Sequence, residues 1–176
     1  MQQMIYVPEP PGSHAEAQAR GLVLERTLVR IDPEHEQPER EQHLEEAGQD
    51  IDWSVGEVIE QRLTVISPLQ RHHVAISLPL AAGMELLNPS LDTAPPESTP
   101  SRPDSLEPDF VAWRDHEVVY YFDQLPAGSH HFAFRARAQF PGRYSLPPAH
   151  AELMYQPDVR GHSHGATVRI ARPGSD

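Results

Sequence analysis

The chain contains neither cysteine nor lysine. Without cysteine it can form no disulfide, thiolate nucleophile or cysteine metal site, although 176 residues can bury a core that folds without cross-links. Its 14 basic residues are all arginine, and 26 acidic residues spread along the chain give a formal net charge of −12. Because nucleic acids and anionic membranes require a concentrated basic patch, neither is expected as a partner.

Long apolar stretches are also missing. No run of about 18 apolar residues occurs, and no charged segment followed by an apolar one forms a leader. We therefore expect the chain as given neither to insert into a membrane nor to carry its own export signal. A longer parent would have to supply export.

Motifs that carry catalysis or bind cofactors are absent as well. No Gly-x-Ser-x-Gly nucleophile motif and no glycine-rich phosphate loop occurs. The paired histidines at 72–73 and 130–131 are poorly placed for one metal ion, since adjacent strand residues point to opposite faces, whereas His162 and His164 could share a face. We predict no catalytic residue, no cofactor and no native metal site, and hence no enzyme.

Alternating apolar residues predict strands in several segments. Period-two patterns occur at residues 56–66, where Ile59, Leu63 and Val65 share a face, and at 72–80. The clearest alternation covers residues 131–140, with apolar residues at even positions, and predicts a half-solvated strand that forms a hairpin with residues 118–122. Further strands are predicted in an aliphatic run at 22–31, near 149–155 and at 167–171.

The remaining segments predict loops. Residues 34–50 are acidic and poor in apolar anchors, which predicts a mobile insertion, with a short helix at 39–47 the weaker possibility. Six prolines within residues 88–109 predict a long exposed loop. The resulting fold class is all-β, an antiparallel β-sandwich with long acidic and proline-rich loops, divided into a linker at 1–20, the domain at 21–172 and a tail at 173–176.

An ordered set of short blocks makes the chain resemble a known family. The blocks are SVGE at 54–57, LPLAAGMELLNP at 78–89, WRDHE at 113–117, YFDQLPAG at 121–128, FRARA at 134–138, GRYSLPPAHAELMYQP at 142–157 and GHS at 161–163. Together they are similar to the C-terminal macroglobulin-like domain of bacterial α2-macroglobulins, over residues 21–170. Single fragments are weak signals, but their common order is specific.

The resemblance implies a supporting role in a protease inhibitor. Members of that family are large, periplasmic or cell-envelope chains, often lipid-anchored, in which proteases cut a bait region and expose a Cys–Gln thioester. This chain has no cysteine and cannot hold that bond. The resemblance implies instead that it packs on the thioester domain of its parent, with Met154 and Tyr155 as the contact, and meets target proteases only through the parent.

Two alternatives remain open from the sequence. Met154 and Tyr155 could equally belong to the core of the sandwich. The whole domain could also be an extracytoplasmic immunoglobulin-like spacer or adhesion module with no specific role in trapping. An exposed apolar patch around the two residues favours the first function, because monomers seldom leave such patches uncovered, and a buried pair favours the second.

Overall fold

A computed structural model describes residues 15–32, 34 and 37–174 of the chain. These residues form fourteen strands and one short 3-10 turn, Pro96–Ser98. The strands are β1 (Gln18–Arg20), β2 (Val23–Ile31), β3 (Pro38–His43), β4 (Gln49–Ser54), β5 (Val58–Ser67), β6 (Arg71–Pro79), β7 (Met84–Leu87), β8 (Phe110–Arg114), β9 (Glu117–Leu125), β10 (Gly128–Ala138), β11 (Gly142–Leu146), β12 (His150–Leu153), β13 (Gln156–His162) and β14 (Ala166–Ala171).

The strands form three sheets. The first has the order β1-β13-β12-β6-β9-β8, the second β3-β2-β5-β10-β7, and the third β11-β14-β4. All neighbours are antiparallel except β14 and β4, which run parallel. The predicted all-β, sandwich-like fold is confirmed, with this one parallel pair as an addition.

Core positions follow the alternation of the central strands. Ile59, Leu63 and Val65 of β5 are completely buried, as predicted, and the even positions from 74 to 78 in β6 and from 130 to 138 in β10 are buried with them. Because each strand sends every second side chain inward, the sheets enclose one continuous cluster of apolar residues. The described part of the segment expected to be a linker contributes β1, which pairs with β13; residues 1–14, most of that segment, lie outside the described residues.

The prediction of a mobile insertion at residues 34–50 is wrong for its described part. Residues 38–43 form β3, the edge strand beside β2, and neither they nor the rest of 39–47 form a helix. An edge strand needs few apolar side chains, because backbone hydrogen bonds to one neighbour hold it. Leu44 is buried, and β4 follows with Ile51 and Trp53 in the core.

The predicted hairpin of residues 118–122 and 131–140 is also wrong. Both segments are strands, but β9 pairs with β6 and β8 in the first sheet, whereas β10 pairs with β5 and β7 in the second. The short connection at 126–127 therefore passes from one sheet to the other. Alternation identifies which face of a strand is buried and does not identify its neighbour.

The proline-rich loop at residues 88–109 is mostly exposed, as predicted, but it also bonds to the second sheet. Because β7 pairs with only one end of β10, the loop bonds along the remaining edge: Asp104 accepts a hydrogen bond from the Ala133 amide, and Ser105 donates its amide to the His131 carbonyl. The loop thus covers a strand edge that would otherwise be free to pair with other chains. It also buries side chains on the face of β10 that alternation predicted to be solvated.

Candidate functional site

Met154 and Tyr155 form the turn between β12 and β13, here called the 154–155 turn. In β12, the side chains of Ala151 and Leu153 enter the core, and the pairing with β13 shifts register between Glu152 and Leu153. After this shift, Leu153 opposite Gln156 is the last residue pair before the turn. The two residues of the turn therefore project from the end of the first sheet.

Both side chains of the turn are exposed. Met154 is 50% and Tyr155 is 77% accessible to solvent, whereas the neighbouring Leu153 is buried. They are not part of the apolar core, so the alternative that places them in the sandwich core does not describe this structure.

His73 of β6 contacts both residues of the turn. Its carbonyl oxygen accepts a hydrogen bond from the Met154 amide at 2.8 Å, and its ring lies edge-to-face with the Tyr155 ring at a centroid distance of 5.1 Å. The two ring planes meet at 86°. The exposed turn is thus held from β6 as well as from its own two strands.

A shallow cavity of about 220 Å³ lies beside the turn, lined by Gln70, Arg71, His72, His73, Leu153, Tyr155 and Gln156. Leu69, which is 59% exposed, lies in the turn between β5 and β6. The start of β6 lies beside the end of β12, because the two strands are antiparallel. The turn that contains Leu69 therefore lies at the same end of the first sheet as the 154–155 turn. That end combines exposed apolar tips with imidazole and guanidinium groups.

Three charged side chains among the described residues are buried, Arg26, Glu60 and Arg135. Arg26 is 1% exposed and donates hydrogen bonds only to uncharged acceptors, the Gln61 side chain and the carbonyls of Pro79 and Pro147. Burial lowers the pKa of Arg26 to about 9. Because its acceptors come from the second sheet, the end of β6 and the segment after β11, Arg26 connects all three sheets.

Glu60, the second buried group, anchors the proline-rich loop. Its carboxylate accepts hydrogen bonds from the Ser101 amide and hydroxyl, each at 2.7 Å, and from Arg62 and Arg135 at 2.7 and 2.9 Å. Burial raises the pKa of Glu60, but these four hydrogen bonds together lower it below its usual value. The arrangement satisfies a carboxylate between two guanidinium groups and leaves no reactive atom unpaired, so it is structural.

Three of the histidines noted in the sequence have separate partners, and the buried Nδ1 of His162 has no hydrogen-bond partner among the described residues. His130 bonds to the Pro126 carbonyl and His131 to the Thr64 hydroxyl, while His164 accepts the Ala17 amide. Within residues 15–32, 34 and 37–174, no three His, Asp or Glu side chains come together in a way that could hold a metal ion. The same residues contain no helix with the length and apolar character needed to cross a membrane.

The strand order and pairing define the class of protein, an all-β domain of mostly antiparallel sheets in a sandwich-like arrangement. Residues 21–158 match the family model described as the Bacterial Alpha-2-macroglobulin MG10 domain. This match covers most of the chain, which therefore belongs to that family of macroglobulin domains.

The individual relatives include macroglobulins and one protein of a different name. The chain is 27% identical over 126 residues to an alpha-2-macroglobulin homolog from a Nostoc species, covering 72% of this chain and 7% of that protein. It is 26% identical over 117 residues to circularly permutated Ras protein 2 of Dictyostelium discoideum, covering 66% and 3%. Among solved structures, Escherichia coli alpha-2-macroglobulin activated by porcine elastase has a TM-score of 0.67 at 17% identity, covering 89% and 14%. The chain thus spans a small fraction of the proteins it resembles.

Proposed function

We propose that this domain is a non-enzymatic part of a bacterial alpha-2-macroglobulin-like protease inhibitor. In this proposal the 154–155 turn packs on the thioester-containing domain of the same parent polypeptide and keeps water from the thioester until a protease cuts the bait region. Target proteases are reached only through the parent, which is periplasmic or attached to the cell envelope. The family match and the elastase-activated state of the Escherichia coli relative support the protease-inhibitor parent.

The observation that carries the shielding proposal is the exposure of Met154 and Tyr155. Leu153 is buried and β12 pairs with β6 just before the turn, yet both side chains of the turn face solvent. A polarizable thioether and an amphipathic phenol ring exclude water from a reactive acyl group and still release it when the surfaces separate. Solvated positions of this kind are where a partner gains most by covering a side chain.

The test is calorimetric titration of this domain with the thioester-containing domain of the parent. Met154→Ala and Tyr155→Ala are each expected to weaken binding about 5- to 30-fold, as truncation of a buried interface anchor does. Because both side chains are exposed in the free domain, removal of Met154 should change the free energy of unfolding by no more than about 0.5 kcal/mol, and removal of Tyr155, which also loses its contact with His73, by about 1 kcal/mol. Phe140→Ala is the matched control: Phe140 is 64% exposed and follows the far end of β10.

Shielding itself is measured by the rate at which the thioester releases a free thiol in water. Adding the wild-type domain should slow this release, and adding Tyr155→Ala should slow it less. Unchanged binding in both turn variants, or equal loss in Phe140→Ala, would contradict the proposed contact.

A second candidate function is a spacer without any role in trapping. The match to the Dictyostelium protein favours it, since that protein carries a different name and only 3% of its length corresponds to this domain. A spacer would bind the thioester-containing domain weakly or not at all, and its turn variants would behave like wild type in both assays.

A further inference from the structure

His73 has a backbone conformation that side chains disfavour. Its φ of 54° lies in the left-handed region, and among the described residues it is the one non-glycine residue with a positive φ. On either side of it the pairing of β6 with β9 is regular, His72 opposite Gln124 and Val74 opposite Phe122. The distortion is therefore confined to one residue within an otherwise continuous strand.

The core does not require this distortion. The His73 side chain is exposed, so no packing inside the sandwich holds the residue in place. A glycine would adopt the same φ without steric cost and would still offer its carbonyl to Met154. What glycine could not supply is the imidazole ring that lies against Tyr155.

Two interactions join the distorted residue to the 154–155 turn. Its carbonyl fixes the backbone of the turn through the Met154 amide, and its ring meets Tyr155 edge-to-face, the geometry that aromatic rings prefer. Tyr155 is otherwise a highly exposed side chain whose rotamers would be free to interconvert. Strained residues tend to occur where a neighbouring structure needs a particular placement.

We infer that His73 is the positioning residue of the 154–155 turn: it orients the Tyr155 ring before any partner is present. The inference rests on the proposed function for its biological meaning, because an oriented ring loses less conformational freedom on docking. The positioning itself is a property of the free domain and is measured without a partner.

The first experiment is NMR spectroscopy of the Tyr155 ring in the free 176-residue chain. His73→Asn removes the ring but retains a residue that tolerates left-handed backbone, and His73→Gly removes both the ring and the strain. In both variants we expect loss of the ring-current shift of Tyr155 and of its cross-peaks to residue 73. His72→Asn, the same change one residue earlier, should leave the Tyr155 signals unchanged. Wild-type Tyr155 signals already at random-coil positions, or unaltered signals in both His73 variants, would overturn the inference.

The second experiment repeats the binding titration with the same variants. His73→Asn is expected to weaken binding about 2- to 12-fold, the range that an aromatic pair contributes. His73→Gly should weaken it as well while keeping or raising the midpoint of thermal unfolding, a combination that a purely structural residue would not produce. If Tyr155→Ala weakens binding and the His73 variants do not, the positioning role is refuted and the proposed contact stands. If Tyr155→Ala has no effect, the proposed contact fails while the NMR result still decides the positioning role.

Discussion

Replacing Arg26 with methionine tests whether one buried guanidinium connects the three sheets. Methionine has a similar length and is apolar, so it fills the site without the five N–H donors. The substitution leaves the Gln61 side-chain oxygen and the Pro79 and Pro147 carbonyls without their donor. Gln61 is buried and both prolines are half-buried, so an unpaired acceptor is costly at these positions.

The expected magnitude comes from two opposing effects. A hydrogen bond to a charged donor contributes about 1.5–3 kcal/mol, and three of them contribute roughly 5–9 kcal/mol. Removing a buried charge returns several kcal/mol of desolvation cost, which is large here because all the acceptors of Arg26 are neutral. The free energy of unfolding should therefore fall by about 2–4 kcal/mol, which lowers the unfolding midpoint by roughly 5–15 °C in a domain of this size.

The measurement is urea unfolding of wild type and variants at pH 7, followed by circular dichroism. The double variant Arg26→Met with Gln61→Leu should recover about 1 kcal/mol relative to Arg26→Met, because one unpaired acceptor is gone. Arg169→Met is the control, since Arg169 forms an exposed ion pair with Asp52 and should be nearly neutral. If Arg26→Met is as stable as wild type, desolvation outweighs the hydrogen bonds and the reasoning is refuted.

Three further predictions concern other parts of the fold. Glu60→Gln should lower the free energy of unfolding by about 3 kcal/mol at pH 7, because Arg135 loses its charged partner. Because the folded state lowers the pKa of Glu60, the stabilisation from its carboxylate is present above the ordinary pKa and is lost as the pH falls below it. In urea unfolding, the difference in free energy between wild type and Glu60→Gln should therefore shrink below about pH 4.5. A difference that stays constant with pH would contradict this. Gly161→Ala should lower the free energy of unfolding by about 1–3 kcal/mol in the same assay, since a Cβ there would lie 2.2 Å from the Leu22 carbonyl oxygen. A neutral result would mean that β13 moves away from Leu22 easily. All 14 arginines lie in strands or precede proline, which protects them from trypsin. The variant Ser90→Arg places a new site in an exposed turn, so trypsin should cut it much faster than wild type when digestion is followed by gel electrophoresis. Equal rates of cleavage would refute this protection.

Strand positions that alternate were predictable from the sequence. The buried faces of β5, β6 and β10 match their apolar periods, because a side chain's direction along a strand is fixed by the pleat. Strands β3 and β4 were missed because β3 is polar on both faces and β4 carries only Ile51 and Trp53 as apolar residues. The partner of β4 is β14, which lies far away in the sequence, and a local pattern of residues does not identify such a partner.

Interactions that depend on which strands are neighbours could not be predicted. The proline-rich loop was expected to be exposed, since prolines exclude it from a sheet, but they do not prevent it from bonding to an open strand edge through Asp104 and Ser105. The choice of Met154 and Tyr155 as a contact followed from the family resemblance, but the strand predicted near 149–155 ends at Leu153, and neither the turn nor its exposure was predicted. The distortion at His73 has no signature in a single sequence.

The sequence contains a signal for the buried pair of Arg26 and Gln61. Arg26 interrupts the inward-facing series that contains Leu24 and Leu28, and Gln61 interrupts the one that contains Ile59 and Leu63. A single polar residue on a core face is costly, but two such interruptions on paired strands can satisfy each other. Since β2 and β5 are neighbours, the two interruptions meet, and the remaining donors of Arg26 reach the carbonyls of Pro79 at the end of β6 and of Pro147 in the connection between β11 and β12. In a chain without cysteine, a guanidinium with several directed donors sets the orientation of three sheets as an apolar side chain of equal volume could not, because apolar contacts have no preferred direction.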